Sequence, residues 1–317
     1  MKLATATHLS SSDPFPVLLL SDETALNLTR AAELAETIEL ALADYVSLAR
    51  IIAAESLLPG GLQHLHSEAL AGRLDGACIS MAELRLLAPL PRPAKNVFCV
   101  GRNYLDHIYE GYEAQGLEIK VPKHIQFFSK PPTTVVGPDA PIEHDQSVTG
   151  KLDYEVELGV VIGRAGKNIP PENALSHVFG YTVVNDVTAR DLQRAHEQWF
   201  KGKGLDSSCP MGPWIVTSDE VAEPENLTLT LSVNGELRQK ASTAQMIFKL
   251  PAIIAELSRG LTLEPGDIIA TGTPSGVGYA MEPPRFLSPG DLVRCEIEGI
   301  GVLNNCVVAA AFTSDGE

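Results

Sequence analysis

Asp153, Glu155 and Glu157 occupy every second position of KLDYEVELGVVIG (151–163). In a strand, residues two apart project to one face, which leaves Tyr154, Val156 and Leu158 for the other. Carboxylates so close repel one another unless water screens them or a positive group sits among them. A solvated acidic face is one reading of this run and a hard-cation site is the other. A calcium loop of the EF-hand kind is disfavoured, because Leu158 stands where that loop needs glycine. Carboxylate oxygens on a rigid strand suit Mg²⁺ or Mn²⁺, with a third carboxylate required from elsewhere. Asp186, at the polar end of the apolar run YTVVND (181–186), is the candidate. Its competing role is the N-cap of a helix beginning near Val187.

GRNYLDHIYE (101–110) brings a second kind of chemistry. If 104–112 is helical, Leu105, Ile108, Tyr109 and Tyr112 form an apolar stripe. His107 and Glu110, three residues apart, then share the opposite face. A carboxylate beside an imidazole orients it and raises its basicity, which suits activation of water; an ordinary solvated pair is the alternative. Gly101, Gly111 and Gly116 flank or interrupt this helix, as befits a lid. TGTPSGVG (271–278) has the wrong glycine spacing for a dinucleotide fingerprint or a P-loop. Its amides and Thr hydroxyls suit a carboxylate, and a plain turn is equally consistent with it. Lys203, in FKGKGLD, reads as a loop lysine, either in solvent or clamping an anionic substrate. HLH (64–66) is too isolated for a metal site.

Elements able to position these groups follow from patterning. The chain has 317 residues, which suits a large domain beside a smaller one. Proline-rich APLPRPAK (88–95) marks the boundary, giving a small N-terminal domain over 1–90 and a catalytic one over 91–317. PVLLLSDETALNL (16–28) reads as two strands with a turn, and the Ala/Leu-rich 31–57 as helix closed by Pro59-Gly60-Gly61. Beyond the boundary come short strands at 96–101, 158–163, 180–186, 214–218, 227–237, 267–272 and 291–305, with helices near 104–112, 187–199 and 250–259. Asn234-Gly235 is a hairpin signal. The fold class is α+β and β-rich, without the strand–helix alternation of a doubly wound sheet.

Composition excludes several functions. A formal net charge of −16 and a pI near 4.9 make nucleic acid and anionic membrane poor partners. Five cysteines, with no CxxC, read as free thiols in a reducing compartment. No apolar run approaches the length of a membrane helix, about 20 residues, and VLLL (17–20) is too little for a signal peptide. The expectation is a cytoplasmic protein.

Read in order, GRNYxxHxxE, DYExELGVVIG, GYTVVNDVTARDLQ, SSCPMGPW, NGELRQ…MIF and GDIIATGTPSGVG resemble the fumarylacetoacetate hydrolase family over roughly residues 95–305. The separate N-terminal segment and PPRFLSPGD (283–291) are most similar to bacterial acylpyruvate hydrolases and oxaloacetate decarboxylases. The resemblance implies a mixed β-sandwich roll assembled as a homodimer. It implies Mg²⁺ or Mn²⁺ held by Glu155, Glu157 and Asp186, with Asp153 behind the ligands. It implies that His107 and Glu110 are an acid–base dyad on a lid, that Lys203 is catalytic, and that Arg102, Arg190, Gln193 and Thr273 bind substrate. The implied reaction is cleavage of the C3–C4 bond of a small 2-oxo acid through a metal-stabilised pyruvate enolate, by oxaloacetate decarboxylation or acylpyruvate hydrolysis. An isomerase or hydratase of 2-hydroxymuconate-type acids is the rival enzyme, and a non-catalytic metal-stabilised scaffold the rival outside catalysis. The role of residues 1–90 stays open.

Overall fold

Val156, Leu158, Val160 and Ile162 alternate along the strand Val156–Ile162 and enter one apolar core, as a two-residue period requires. A computed structural model describes residues 1–35 and 42–310 of the chain. Its larger sheet has twelve strands. The main path runs Cys78–Ser80, Thr24–Asn27, Phe15–Leu19, Lys2–His8, Cys209–Thr217, Val178–Asn185, Val156–Ile162, Ile268–Ala270, Val97–Gly101 and Gln126–Lys130. A second sheet of five strands, in the order Glu236–Ser242, Thr228–Val233, Leu292–Ile297, Gly301–Ala309 and Ile142–His144, packs against one face of the first. Leu229, Leu231, Val293, Cys295 and Leu303 meet Val156, Leu158 and Val183 there in one core. The chain is thus mixed α+β and strand-rich, with two sheets packed face to face. On the far side, Val161, Val184, Ile215 and Ile268 join Leu28, Ile51, Ile52, Leu62 and Leu65 from the N-terminal helices.

Register decides where the polar loops emerge. Val156–Ile162 runs antiparallel to Val178–Asn185, with Val156 opposite Asn185. It also runs antiparallel to Ile268–Ala270, with Gly159 opposite Ala270. Val97–Gly101 is parallel to Ile268–Ala270. The start of the first strand and the ends of the other three therefore lie together, and all four chemistry-bearing motifs leave the sheet at one end. Asn103 joins two of them: its side chain donates to the carbonyls of Thr271 at 2.8 Å and Phe248 at 3.1 Å.

Near the N-terminus, Lys2–His8 pairs with Cys209–Thr217, so the large sheet runs on into residues 1–90. The proline-rich stretch at 88–95 is packed down, with Ala88 and Leu90 buried and Thr5 Oγ1 donating to the Pro89 carbonyl at 2.7 Å. The five cysteines are free thiols. Among the described residues no helix is long and apolar enough to cross a membrane. Asn234 and Gly235 take positive φ values of 52° and 79°, as a two-residue hairpin turn demands.

Several expected helices differ. The run 31–57 is not one helix: Leu28–Leu34 ends at Ala35, a 3₁₀ turn spans Leu42–Tyr45, and Ser47 caps Leu48–Leu57; residues 36–41 lie outside the described residues. An unbroken helix of that length would run about 40 Å, and breaking it lets the pieces fold over one sheet face. The helix expected over 187–199 shortens to Arg190–Ala195, because Thr188–Ala189 pairs with Leu152–Asp153. Asp186 is therefore no N-cap; Ala189 holds that place. Lys203 is not in a loop but ends a short helix, Phe200–Lys203, and is buried. In the helix Leu105–Glu113 the buried positions are Ile108 and Gly111, while Leu105 and Tyr109 are exposed. The anticipated apolar stripe is not the inner face, because this helix covers a polar cleft rather than the core.

Candidate active site

The cleft holds about 360 Å³, near the small end of ordinary ligand pockets at about 300–1,000 Å³. Arg102, His107, Glu155, Glu157, Arg190, Gln193, Lys203 and Thr273 line it. Glu110 stands behind His107, its Oε1 2.8 Å from His107 Nδ1. Asp186 is bonded to Lys203. The residues singled out from sequence are thus gathered in one place.

Glu155, Glu157 and Asp186 are buried, and each offers an oxygen within 4.8 Å of those of the other two. The solvated-face reading of the DYEVE run is therefore excluded. Lys203 Nζ donates to Glu155 Oε2 at 2.7 Å and to Asp186 Oδ2 at 2.6 Å. Arg190 bridges Asp153 Oδ2 at 2.9 Å and Glu155 Oε1 at 2.7 Å. Burial by itself raises the Glu155 pKa, but Lys203 and Arg190 overcome it and hold the carboxyl at about 2. Glu157 goes the other way: burial, then the charges of Asp186 and Glu155, push it well above its ordinary value. Its Oε2 accepts from the Gly272 amide at 2.8 Å.

This donor set fits a divalent ion. It is all oxygen, buried, and convergent, and the strain of placing Glu157 beside two further carboxylates is what a doubly charged ion relieves. Asp153 is outside the trio. Its oxygens accept from the amides of Tyr154, Gly278 and Tyr279 as well as from Arg190, so it braces the glycine-rich loop against the strand. Nη2 of Arg190 is buried with no hydrogen-bond partner among the described residues, and Arg190 borders the cleft.

The sequence reading missed four contributors. Lys130 is fully buried and donates to Asp186 Oδ1 at 2.7 Å and to the Val187 carbonyl at 3.0 Å. Its signal was a lysine closing the strand Gln126–Lys130 just before two prolines. Gln239, buried beneath the loop, donates to Thr273 Oγ1 at 2.9 Å and accepts from the Val156 amide. Tyr279 lies under both Arg190 and Arg194, their guanidinium carbons 4.4 and 5.0 Å from its ring centre. Trp199 packs edge-on to Phe128 in the cleft wall. Nothing local in the sequence distinguishes these two aromatics from core residues.

Residues 96–308 match the family model described as fumarylacetoacetate (FAA) hydrolase C-terminal. The oxaloacetate tautomerase YisK of Bacillus subtilis (strain 168) is 52% identical over 226 residues, which is 71% of this chain and 74% of that protein. Among solved structures, a fumarylacetoacetate hydrolase from psychrophilic Exiguobacterium antarcticum gives a TM-score of 0.78 at 39% identity, covering 98% of this chain and 100% of that one. The maleylpyruvate hydrolase from Sphingobium sp. SYK-6, in complex with manganese(II) ion and pyruvate, gives 0.74 at 29% identity, with coverage of 98% and 100%.

Proposed function

The chain belongs to the fumarylacetoacetate hydrolase family and is an enzyme of 2-oxo acids; from that premise we propose that it moves a proton at C3 of an oxaloacetate-type acid. In this reading Glu155, Glu157 and Asp186 hold Mg²⁺ or Mn²⁺, and His107 is the acid–base group. One observation carries it: a buried trio of carboxylates and a carboxylate-backed imidazole share a single cleft. When bound, the ion supplies a Lewis acid for the 2-oxo oxygen, where negative charge collects as C3 gives up its proton.

The chain's own residues do the rest. Glu110 accepts a hydrogen bond from Nδ1–H of His107 and leaves Nε2 as the basic nitrogen. Nε2 takes the C3 proton as the C3–H pair becomes the C2–C3 double bond, then delivers that proton to the C2 oxygen to give the enol, and the reverse order restores the ketone. Lys203 and Arg190 keep the carboxylates ordered, and Nη2 of Arg190 is a free donor for a substrate oxygen. Thr273, fixed by Gln239, and Gln193 hold the C1 carboxylate. The tautomerase name of the Bacillus relative supports proton transfer with no carbon–carbon bond broken.

A second reading cleaves C3–C4, with the charge collecting on the same 2-oxo oxygen but as a pyruvate enolate. In acylpyruvate hydrolysis, His107 Nε2 deprotonates the water that attacks C4, and the C3–C4 electron pair leaves with pyruvate. In decarboxylation, C4 departs as CO₂ and protonated His107 delivers a proton to C3. The Sphingobium neighbour, a hydrolase bound to pyruvate, supports this reading. A homodimer belongs to the same proposal, with sedimentation velocity as its test.

The deciding experiment follows enol–keto exchange of oxaloacetate and formation of pyruvate by NMR, with Mn²⁺ and then with chelator. Faster exchange that chelator abolishes supports proton transfer. Catalysed pyruvate release without faster exchange moves the assignment to cleavage. Failure of both, on oxaloacetate and on a small acylpyruvate, ends the proposal.

A further inference from the structure

Gly111 is an odd residue for its place. It is buried inside the helix Leu105–Glu113, and after proline no residue suits a helix interior less than glycine. A close approach accounts for it. A Cβ at position 111 would lie 2.6 Å from the hydroxyl oxygen of Tyr279 and 3.8 Å from the ring carbon that bears it. The hydroxyl fills the space a side chain would take. The tip of Tyr279 thus rests on the backbone of the helix that carries His107 and Glu110.

The same ring meets a second part of the site. Its centre lies 4.4 Å from the guanidinium carbon of Arg190, a contact in which the aromatic face attracts the cation. Burial, opposed by the nearby Arg190, raises the phenol above its ordinary pKa, so the ring is uncharged and the contact is no ion pair. Arg190 is itself buried and joins Asp153 to Glu155. The Tyr279 amide donates to Asp153 Oδ2 at 3.1 Å, and Arg190 Nε donates to that same oxygen at 2.9 Å. One carboxylate oxygen therefore anchors both the backbone beneath the ring and the guanidinium stacked on it. Arg194 also lies within 5.0 Å of the ring centre, but it is exposed, and a hydrated charge of that kind contributes little.

We propose that Tyr279 is a positioning residue that couples the helix over the cleft to Arg190: the helix backbone at Gly111 sets the ring, and the ring sets the aim of Arg190 Nη2. The proposal rests on the reading of this cleft as a 2-oxo acid site, in which Nη2 donates to a substrate oxygen. It adds that this donor is held in place by the helix bearing the imidazole. If Gly111 serves helix packing alone, a methyl group there acts on stability, whatever residue stands at 279.

The test compares Gly111→Ala in two backgrounds, natural Tyr279 and Tyr279→Phe. Phenylalanine keeps the stacked ring but lacks the oxygen that meets the new methyl group. The ring carbon that remains is 3.8 Å away, an ordinary van der Waals contact. Pyruvate is the probe; its binding to the full chain with Mn²⁺ is measured by calorimetry, beside the melting temperature. With tyrosine at 279, Gly111→Ala should weaken pyruvate about tenfold to a hundredfold, the range for a lost hydrogen bond to a charged group. In the Tyr279→Phe background the same change should have no further effect. Tyr279→Leu, which removes the ring, should weaken pyruvate over the same range. The melting temperature of Gly111→Ala should hardly move. Equal losses in both backgrounds overturn the proposal, as does no loss in either. So does a Tyr279→Leu protein that binds pyruvate as the unmodified one does, and so does absence of pyruvate binding altogether. A loss confined to the tyrosine background, in a protein that turns over no 2-oxo acid, upholds the coupling and sinks the catalytic reading. Turnover of oxaloacetate with equal losses in both backgrounds sinks the coupling alone.

Discussion

The amide of Gly276 donates a 2.8 Å hydrogen bond to Oε2 of Glu110. Through its other oxygen Glu110 meets His107 Nδ1, also at 2.8 Å. One carboxylate thus joins the helix bearing the imidazole to the glycine-rich loop after Ile268–Ala270. Gly276 has φ of 105°, and a Cβ there would overlap the Arg238 carbonyl oxygen. The position of the imidazole therefore depends on a glycine far away in the chain.

Gly276→Ala should disturb both fold and chemistry. The left-handed φ costs on the order of 1–3 kcal/mol, and the clash is with backbone, which cannot swing aside. We expect a lower melting temperature together with a fall in kcat. Gly111→Ala is the contrast. Its Cβ would meet the Tyr279 hydroxyl at 2.6 Å, the far end of a side chain, so stability should change little. Equal effects of the two substitutions in thermal unfolding would contradict this account.

His107→Ala should lower kcat by about 10²- to 10⁴-fold, the usual contribution of a positioned acid–base group. Glu110→Gln should lower it less, because the imidazole persists but loses its anionic partner. Mn²⁺ affinity, measured by calorimetry, should hardly move in either variant. A large loss of Mn²⁺ binding in His107→Ala would show that the imidazole belongs to the ion site instead.

How much of this was legible in the sequence depends on how local each signal is. The carboxylates of DYEVE are readable from their alternation, although the strand is interrupted: Glu155 stands between Leu152–Asp153 and Val156–Ile162, Glu157 lies within the latter, and the two still converge while Tyr154, Val156 and Leu158 enter the core. Hairpin and strands were readable from Asn234-Gly235 and from alternation. The helix expected over 187–199 is shorter in the structure, because Thr188–Ala189 is taken by a strand pair with Leu152–Asp153 that no local pattern reveals. The local sequence around Lys203 leaves solvent and an anion clamp both open, and only tertiary structure places it between Glu155 and Asp186. Lys130 went unnoticed for the same reason: its partner Asp186 is 56 residues away.

Lys130→Met should be strongly destabilising. The ammonium is buried, and its removal leaves Asp186 Oδ1 and the Val187 carbonyl without that donor. Breaking a buried pair by removing one partner costs about 3–5 kcal/mol. Added Mn²⁺ should recover part of the loss by supplying positive charge to Asp186. Denaturant unfolding with and without Mn²⁺ reads both effects, and a loss below about 1 kcal/mol, the range of exposed pairs, would deny Lys130 its role in the cluster.

The two glutamates of the trio give stability opposite dependences on pH. Glu155 is held at about 2, below its ordinary 4.5, by Lys203 and Arg190 against the opposing effect of burial. Its contribution is therefore present above 4.5 and disappears as pH falls toward 2. Glu157 is raised well above 4.5 by burial and by Asp186 and Glu155. The fold favours its protonated form, so its contribution is full below 4.5 and is lost as pH climbs through the raised value. In chelator, melting temperature should decline on both limbs. A divalent ion competes with the Glu157 proton and favours the ionised trio, so Mn²⁺ should remove the alkaline decline that Glu157 causes and leave the acid one. Melting curves across pH with chelator and with Mn²⁺ make the comparison. An alkaline decline that survives in Glu157→Gln, and that Mn²⁺ does not reduce, would place its origin outside the carboxylate trio.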